Sequence, residues 1–275
     1  MHYLTRLAEF EASHRYWNSV FSDAENHRIF GKCTSPYGHG HNYVLRVTLS
    51  GKVDVQTGMV MNIKELDRIL KEVISEFDHK FINLDHSAFH HQVPTTENLA
   101  SYMKERIETK LRTENEYQLA RLTLYEEPTL WADVSPGEGR MMVSLTKAFG
   151  FSAAHRLHSQ SLSEDENRAI FGKCNNPHGH GHNYELEVTV QGDIDPRTGM
   201  IMDLGSLMQI VQEEIIERFD HKHLNEDTVE FRTLNPTGEN IAKVIWDLLQ
   251  SRLGNKLTRI GLWETPKNLF EYYGA

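Results

Sequence analysis

The chain lacks the features that mark secreted, membrane-spanning and disulfide-bonded proteins. Its only cysteines are Cys33 and Cys174, which argues against a disulfide framework and favours two free thiols in a reducing compartment. No run of about 18 consecutive apolar residues occurs, so the sequence predicts no transmembrane helix. The first residues contain no apolar signal-peptide core, and we therefore expect a cytoplasmic protein.

An excess of positive charge is also absent. The formal net charge is −10, which argues against general binding to nucleic acid because such binding needs a basic face. An anionic small-molecule substrate would need a local basic pocket instead. The apolar content of 39% is that of an ordinary globular protein.

The chain does contain an internal repeat, in which one sequence module occurs twice. Residues 31–43 (GKCTSPYGHGHNY) return as residues 172–184 (GKCNNPHGHGHNY), 141 positions later. FEASH at 10–14 returns as FSAAH at 151–155, and TGMVMN, FDHK and TTEN return as TGMIMD, FDHK and TGEN. A repeat of this length is a whole domain. The spacing drifts to 142 and then to 138, as expected for short insertions and deletions in loops.

The module boundary is expected near Gly137. The segment SPGEGR at 135–140 consists of turn-forming residues without periodicity, and we interpret it as a linker. The predicted domains are residues 1–136 and 137–275.

Each module is predicted to be of the α+β class, a four-stranded antiparallel sheet covered by two helices in the order β-β-β-α-α-β. Alternating and β-branched residues predict the strands, and a turn followed by MVMN or MIMD predicts a hairpin. Helical spacing of apolar residues, with a threonine at the start of the second helix, predicts the helices. The first module has strands ending at His14 and over 41–53, 59–62 and 119–127, with helices over 63–77 and 96–111. The second has strands ending at His155 and over 182–194, 200–203 and 257–265, with helices over 204–219 and 237–253.

Histidines form the chemical core of the repeat. Two histidines in an H-x-H pair on an extended segment face the same side of the sheet. A third histidine from another strand would complete a three-imidazole set with an open fourth position, which is typical of a catalytic zinc site. We expect one zinc ion per module, two per chain. The expected ligands are His14, His39, His41, His155, His180 and His182.

The cysteine of each repeat allows two interpretations. Cys33 and Cys174 each precede the H-x-H pair by six residues, and either could be a fourth zinc ligand in a structural site. The alternative is a general base whose thiol pKa is lowered by a nearby cation or metal. The repeated Asp-His pairs favour the second interpretation, because proton transfer needs a carboxylate and an imidazole beside the thiolate. These pairs are Asp78-His79 and Asp220-His221.

The ordered set of FSAAH, GKCNNPHGHGHNY, the DPRTGMIMDL hairpin, FDHKHLN and WET resembles the 6-pyruvoyl-tetrahydropterin synthase family, which includes the 6-carboxy-tetrahydropterin synthases. The resemblance covers nearly the whole chain, twice. It implies two tandem tunnelling-fold modules and a zinc enzyme acting on 7,8-dihydroneopterin triphosphate.

The resemblance also implies residue roles. The six histidines would hold zinc, the two cysteines would abstract a proton, and the Asp-His pairs would assist them. Glu126 and Glu264 would hold the pterin, whose amino group and ring N–H can both donate to one carboxylate. Further candidates for substrate binding, which equally fit helix caps, are Thr95, Glu97, Thr237 and Glu239.

The expected reaction is a carbon–oxygen lyase reaction that releases triphosphate and gives 6-pyruvoyl-tetrahydropterin, with no redox cofactor. The six-residue step from cysteine to the H-x-H pair resembles the pyruvoyl enzymes. One alternative is the 6-carboxy-tetrahydropterin synthase reaction of the queuosine pathway, which also releases acetaldehyde. An alternative of another class is a zinc and pterin-binding protein with little turnover.

The two copies differ at a few positions. Thr96 in the first copy corresponds to Gly238 in the second, and Thr34-Ser35 to Asn175-Asn176. We therefore expect two competent sites, the first having drifted further in specificity. In the family, sheets of three subunits close into a barrel, which removes exposed sheet edges. Three tandem chains would supply six modules, so a homotrimeric pseudo-hexamer is expected.

Overall fold

The structure of the protein is a computed structural model that describes residues 1–111, 117–137 and 139–274. The chain divides into two compact units, both of mixed α+β composition. Unit 1 contains residues 1–146 together with 191–205, and unit 2 contains residues 147–190 together with the chain from Ser206 to the carboxyl terminus. A segment of the second repeat thus belongs to unit 1. Residues 1–136 and 137–275 remain our prediction for the repeat boundaries, and Glu138 of the predicted linker lies outside the described residues.

Unit 1 is built on a mostly antiparallel sheet with strand order β3-β1-β2-β4-β5. Only the two-residue β3 runs parallel to its neighbour, β1. The strands are β1 (His2–His14), β2 (His39–Gly51), β3 (Lys80–Phe81), β4 (Tyr117–Glu127) and β5 (Leu130–Pro136). The helices are α1 (Asp23–Phe30), α2 (Ile63–Ile74), α3 (Ile82–Asp85) and α4 (Thr96–Lys110).

Unit 2 repeats this arrangement with strand order β10-β9-β7-β6, and β8 pairs with β6. The strands are β6 (Met141–His155, entering the unit at Lys147), β7 (His180–Gln191), β8 (Lys222–His223), β9 (Leu257–Thr265) and β10 (Asn268–Tyr272). The helices are α5 (Glu164–Phe171), α6 (Leu204–Val211), α7 (Glu217–Phe219), α8 (Leu224–Asp227) and α9 (Gly238–Leu253).

Alternation along the central strand builds the core of each unit. In β2 every second side chain points away from water, and the buried residues are Tyr43, Leu45, Val47 and Leu49. In β7 the equivalent buried residues are Tyr184, Leu186, Val188 and Val190. Helices with one apolar face complete each core: α2 buries Leu66, Ile69, Leu70 and Val73. Each unit therefore has an apolar core of its own.

Two details of the predicted topology are wrong. The segments MVMN and MIMD do not form strands, although Asp54 N–H donates to the Met59 carbonyl across the turn. The sheet contains a strand that the sequence did not predict, β5, which pairs with β4. The predicted four-stranded sheet is therefore not confirmed. The change of spacing from 141 to 142 also does not fall in a loop. The second copy has one more residue between its TGM and FDHK motifs, and the helix there contains a π-helical turn at Gln212–Ile216.

A buried asparagine fixes the loop that precedes the cysteine segment in each unit. The Asn167 amide oxygen accepts the N–H of Ser159 at 2.7 Å, and its amide nitrogen donates to the carbonyls of Ser159, Leu162 and Ser163. Asn26 makes the same contacts in unit 1. A side chain that satisfies four main-chain groups cannot be replaced by an apolar one without cost.

We predict that Asn167→Leu lowers the free energy of unfolding by about 3 kcal/mol, because buried main-chain groups lose their partner. Urea denaturation followed by circular dichroism measures this change. The control is Asn183→Leu, since Asn183 is exposed on β7. Equal losses for the two variants would contradict the assigned role of Asn167.

Candidate metal centre

Strand register brings three histidines of unit 1 together. His14 lies directly opposite His39 in the antiparallel pair of β1 and β2, and His41 lies two residues further along β2. Residues two apart on a strand share a face, so the three imidazoles converge. One ring nitrogen from each lies within 4.8 Å of the others. The three-histidine set expected from the sequence is therefore assembled.

Unit 2 assembles the same set from His155, His180 and His182, again with ring nitrogens within 4.8 Å of one another. Here the Nε2 atoms of His155 and His180 are 3.2 Å apart. His155 ends β6, and the other two begin β7. The two units thus carry equivalent constellations.

Main-chain hydrogen bonds orient the innermost histidine of each set. His14 Nδ1 donates to the Pro94 carbonyl at 2.9 Å, and His155 Nδ1 donates to the Pro236 carbonyl at 2.8 Å. A proton on Nδ1 leaves the Nε2 lone pair facing the other two rings, as in metal-bound histidines. Burial lowers the pKa of His14 to about 3 and that of His155 to about 4. Both imidazoles are therefore neutral near pH 7.

Three of the ring nitrogen atoms at the centre of the two sets lack protein partners. Among the described residues, the Nε2 atoms of His14, His41 and His182 are buried without a hydrogen bond. Buried nitrogen lone pairs that converge without a partner are energetically costly unless a hydrogen-bond donor or a metal ion binds them. The residues present fit a metal ion, and each set can bind one.

A glycine ahead of each H-x-H pair permits close packing. Gly38 has φ +72°, and a Cβ there would lie 2.7 Å from the His14 carbonyl oxygen. Gly179 has the same φ, with a Cβ 2.9 Å from the His155 oxygen. Because any side chain would collide with the ligand strand, both copies keep glycine here.

The cysteines belong to neither of the three-histidine groups. Cys33 is half-buried in the 3-10 helix Gly31–Thr34, and its carbonyl accepts the Tyr16 N–H at 2.9 Å. Burial first, and then Glu126, raise the pKa of the Cys33 thiol, while Lys32 acts in the opposite direction. The side chains around Cys33 therefore do not produce the lowered thiol pKa that we expected there. Cys174 occupies the equivalent 3-10 helix, Gly172–Asn175.

Each Asp-His pair lies beside the strand that carries the first histidine of its set, β1 in unit 1 and β6 in unit 2. Asp78 accepts the Glu11 N–H at 3.1 Å and lies 3.0 Å from His79 Nδ1. Asp220 and His221 repeat this geometry at 2.9 Å. Both histidines have φ 57°, a conformation that costs energy for a residue with a side chain. Across the described residues, no hydrogen bond or ion pair joins either pair to the cysteine of its own unit.

Glu126 and Glu264 each lie close to the histidines of their own unit, but the residues that surround the two carboxylates differ. In unit 1, Glu126 is buried, and its Oε2 accepts the Tyr16 hydroxyl at 3.1 Å and the Thr96 hydroxyl at 2.7 Å. Its Oε1 lies 3.6 Å from His41 Nε2. Tyr16 was not identified as a site residue from the sequence. A signal for it was present, because the second copy has Leu157 at the equivalent position.

The carboxylate of unit 2 is more open. Glu264 Oε1 lies 3.8 Å from the Nε2 atoms of both His155 and His182. Its Oε2 accepts from Asn268 Nδ2 at 3.3 Å. Leu157 and Gly238 stand where unit 1 has its two hydroxyl donors. Glu264 therefore keeps more acceptor capacity for a ligand than Glu126 does.

The threonine and glutamate at the start of α4 and α9 also differ between units. Thr95 and Thr237 both cap their helices by accepting a main-chain N–H. Thr95 Oγ1 donates to the Gly199 carbonyl, and Glu97 accepts the Ile201 N–H. Glu239 is exposed. Two of the predicted substrate residues in unit 1 thus already bind the chain itself.

These features define a duplicated α+β protein with one potential metal centre in each copy. The family profile described as 6-pyruvoyl tetrahydropterin synthase matches residues 3–137 and again residues 144–275. The chain therefore belongs to the 6-pyruvoyl tetrahydropterin synthase family and carries its module twice.

Relatives match one module at a time. The chain is 45% identical to the 6-pyruvoyl tetrahydrobiopterin synthase of Homo sapiens over 139 residues, which cover 50% of this chain and 96% of the human protein. It is 30% identical to the 6-carboxy-5,6,7,8-tetrahydropterin synthase of Haemophilus influenzae over 154 residues, covering 48% of this chain and 99% of that protein. The solved 6-pyruvoyl tetrahydropterin synthase of Caenorhabditis elegans is 42% identical, with a TM-score of 0.47 over 49% of this chain and 96% of that one. In the described part of the chain, helices with the length and apolarity to cross a bilayer are absent.

We predict that Thr96→Val lowers the free energy of unfolding by about 2 kcal/mol, because a buried carboxylate loses a hydroxyl donor without a change in side-chain size. Thermal and urea unfolding measure the loss. Thr5→Val is the matched control, since Thr5 is exposed on β1. A neutral Thr96→Val variant would show that the hydrogen bond to Glu126 contributes nothing.

Proposed function

We propose that the protein is a zinc-dependent lyase that converts 7,8-dihydroneopterin triphosphate to 6-pyruvoyl-tetrahydropterin with loss of triphosphate. The observation that carries the proposal is the convergence of three imidazoles on a carboxylate in each unit, with the Nε2 atoms of His14, His41 and His182 left without a hydrogen bond. Identity of 45% to a named pyruvoyl enzyme, against 30% to a named carboxy enzyme, favours the pyruvoyl product.

Each group of site residues has its own role in the proposed reaction. The three histidines of a unit would hold zinc, which when bound supplies a Lewis acid for the oxygens of the substrate side chain. Cys174 Sγ takes the proton from the adjacent carbon, and the Asp220-His221 pair exchanges protons with solvent. The carbon–oxygen bond to triphosphate then breaks, and the side chain tautomerises to a hydroxyketone. The remaining carbinol becomes the second carbonyl as two hydrogens shift to the N5=C6 bond of the dihydropterin ring, so the ring is reduced to the tetrahydropterin while the side chain is oxidised and no redox cofactor is needed. Glu264 accepts the amino group and ring N–H of the pterin.

The first site is proposed to use Cys33, Asp78, His79 and Glu126 in the same roles, with lower turnover. Glu126 Oε2 already accepts two hydroxyls, and a pterin edge needs both oxygens of the carboxylate. A pterin entering unit 1 must therefore displace the Tyr16 or Thr96 hydroxyl. In unit 2 this competition does not arise.

Our proposal includes a homotrimer of tandem chains, in which six modules form a pseudo-hexamer. Closure of the sheets between modules would remove exposed sheet edges. A cytoplasmic location remains a prediction from the sequence.

The proposed zinc content gives a direct prediction. Wild-type protein should retain two zinc ions per chain after dialysis, and His41→Ala and His182→Ala should each retain one, because two imidazoles hold a divalent ion far more weakly than three. Elemental analysis by mass spectrometry measures the content. His2→Ala, an exposed histidine, should retain both ions. Unchanged content in the two ligand variants would exclude these sites.

The reaction itself is tested by incubating zinc-loaded protein with 7,8-dihydroneopterin triphosphate and identifying the products by mass. We expect 6-pyruvoyl-tetrahydropterin and triphosphate. Cys174→Ala should remove about 10²-fold or more of the turnover, because it deletes the proposed proton acceptor, whereas Cys33→Ala should remove less than half.

Other products would select another function. A carboxy product together with acetaldehyde would assign the chain to the carboxy reaction. Pterin binding without turnover in any form would make it a binding protein. Equal effects of the two cysteine variants would contradict the proposed difference between the sites.

A further inference from the structure

A cavity of about 440 Å³ lies beside the metal centre of unit 2. Two of the residues that line it are neighbours of metal-centre groups along the chain. Arg156 directly follows His155. Asn235 directly precedes Pro236, whose carbonyl accepts a hydrogen bond from His155 Nδ1. The cavity therefore borders the three-histidine site without containing any of its members, and its volume is that of a small-molecule pocket.

Two arginines in this cavity lack acidic partners among the described residues. Arg156 uses only its Nε atom for hydrogen bonds, to the amide oxygen of Asn175 at 3.0 Å and to the carbonyl of Asn175 at 3.3 Å. Arg232 is exposed, and within residues 1–111, 117–137 and 139–274 its guanidinium forms no hydrogen bond or ion pair. A guanidinium presents a planar fork of N–H donors that matches phosphate oxygens. Both groups are thus available to an anion.

Polar side chains complete the lining. His158 Nδ1 donates to the amide oxygen of Asn175 at 3.1 Å, and His223 Nδ1 is buried without a hydrogen bond in the described part of the chain. Thr233 adds a hydroxyl. One carboxylate, that of Glu226, also lines the cavity, but it is exposed and pairs with none of the cations that the structure describes. The lining is therefore suited to an anion of high charge.

Unit 1 has different chemistry at the equivalent positions. The unit 1 residues that stand where unit 2 has His158, His223, Arg232 and Asn235 are, in that order, Trp17, Phe81, His90 and Val93. The Arg15 guanidinium, equivalent to that of Arg156, lies 4.7 Å from the centre of the Trp17 ring. An aromatic ring at this distance covers one face of the cation. The two free guanidinium groups of the cavity thus occur in unit 2 and not in its counterpart.

We propose that the unit 2 cavity is a binding site for a linear polyphosphate, and that unit 1 has no equivalent site. The guanidinium groups of Arg156 and Arg232 pair with oxygens of separate phosphate groups, and the Thr233 hydroxyl donates to a further oxygen. The net charge of the chain is −10, so an anion of this kind needs a local group of cations. The cavity supplies that group.

We assign the polyphosphate to the triphosphate end of the proposed substrate, because the cavity borders the metal centre of the same unit. A free polyphosphate anion presents the same chemistry and is the other source. The assignment to the substrate rests on the proposed function, whereas the affinity of the cavity for polyphosphate does not. Unit 2 would then hold its substrate at both ends, with the pterin on Glu264.

Titration calorimetry of the zinc-loaded chain with inorganic triphosphate tests the site without a reading of activity. We expect Arg232→Gln to raise the dissociation constant about 10-fold, because charge-assisted hydrogen bonds are lost. Arg121→Gln removes the same charge from an exposed position on β4 and should leave the constant unchanged. All six ligand histidines remain in both variants, so binding of triphosphate at the metal centres is common to them. Equal constants for wild type and Arg232→Gln would overturn the proposal.

An exchange of residues between the units tests the difference between them. His158→Trp combined with His223→Phe places the unit 1 residues in unit 2, at positions where the same fold already accommodates them. We expect about a 10-fold loss of affinity for inorganic triphosphate, with unchanged zinc content and circular dichroism. Wild-type affinity in the double variant would overturn the assigned difference between the units.

The source of the polyphosphate is identified with two pterins and the turnover-deficient Cys174→Ala chain. We expect the addition of Arg232→Gln to weaken binding of 7,8-dihydroneopterin triphosphate about 10-fold and to leave binding of 7,8-dihydroneopterin, which has no phosphate, unchanged. Equal effects on both pterins would overturn the assignment to the substrate. Failure to bind either pterin would reject the proposed function and leave the polyphosphate site intact. Triphosphate binding that ignores Arg232→Gln would reject the site and leave the proposed function intact.

Discussion

The site depends on the register of two antiparallel strands. His14 pairs with His39 across β1 and β2, and a slip of one residue would turn His39 and His41 toward the opposite face of the sheet. The buried, alternating side chains of β2 hold this register, because the same slip would expose Tyr43 and Leu45. The core therefore fixes the convergence of the imidazoles, and the hydrogen bond from His14 to the Pro94 carbonyl fixes the tautomer of His14.

The sequence predicted the parts of the site that follow from short-range pattern. H-x-H on an alternating strand places His180 and His182 on one face, and α2 follows from the spacing of Leu66, Ile69 and Val73. The strand predicted for MIMD is absent, because Met200 is buried in an apolar cluster and the Ile201 N–H donates to Glu97 rather than to a neighbouring strand. The π-helical turn at Gln212–Ile216 was also unpredictable, since a single added residue in a helix leaves its apolar face nearly unchanged. The hydroxyls around Glu126 come from distant parts of the chain and required the fold.

Duplication allowed the two carboxylates to diverge while the histidines stayed the same. The histidine set tolerates little change, because each ring nitrogen must reach the same point. The carboxylate tolerates more, since a hydroxyl from Tyr16 or Thr96 can replace a ligand donor at Glu126. In unit 2, Leu157 and Gly238 leave Glu264 available. A difference of two side chains thus separates a carboxylate filled by the protein from one open to a ligand.

Covalent fusion also explains why two equivalent turns differ in burial: Met200 is 6% exposed, whereas the equivalent Met59 is 39% exposed. The turn at residues 195–201 belongs to unit 1, where Glu97 accepts the Ile201 N–H. A segment tethered by the same chain makes such a contact at a high effective concentration, independent of the protein concentration. That contact can therefore specialise, as the Arg197–Phe21 stacking and the burial of Glu97 show. Burial raises the pKa of Glu97 to about 7, a cost that a permanent contact can absorb.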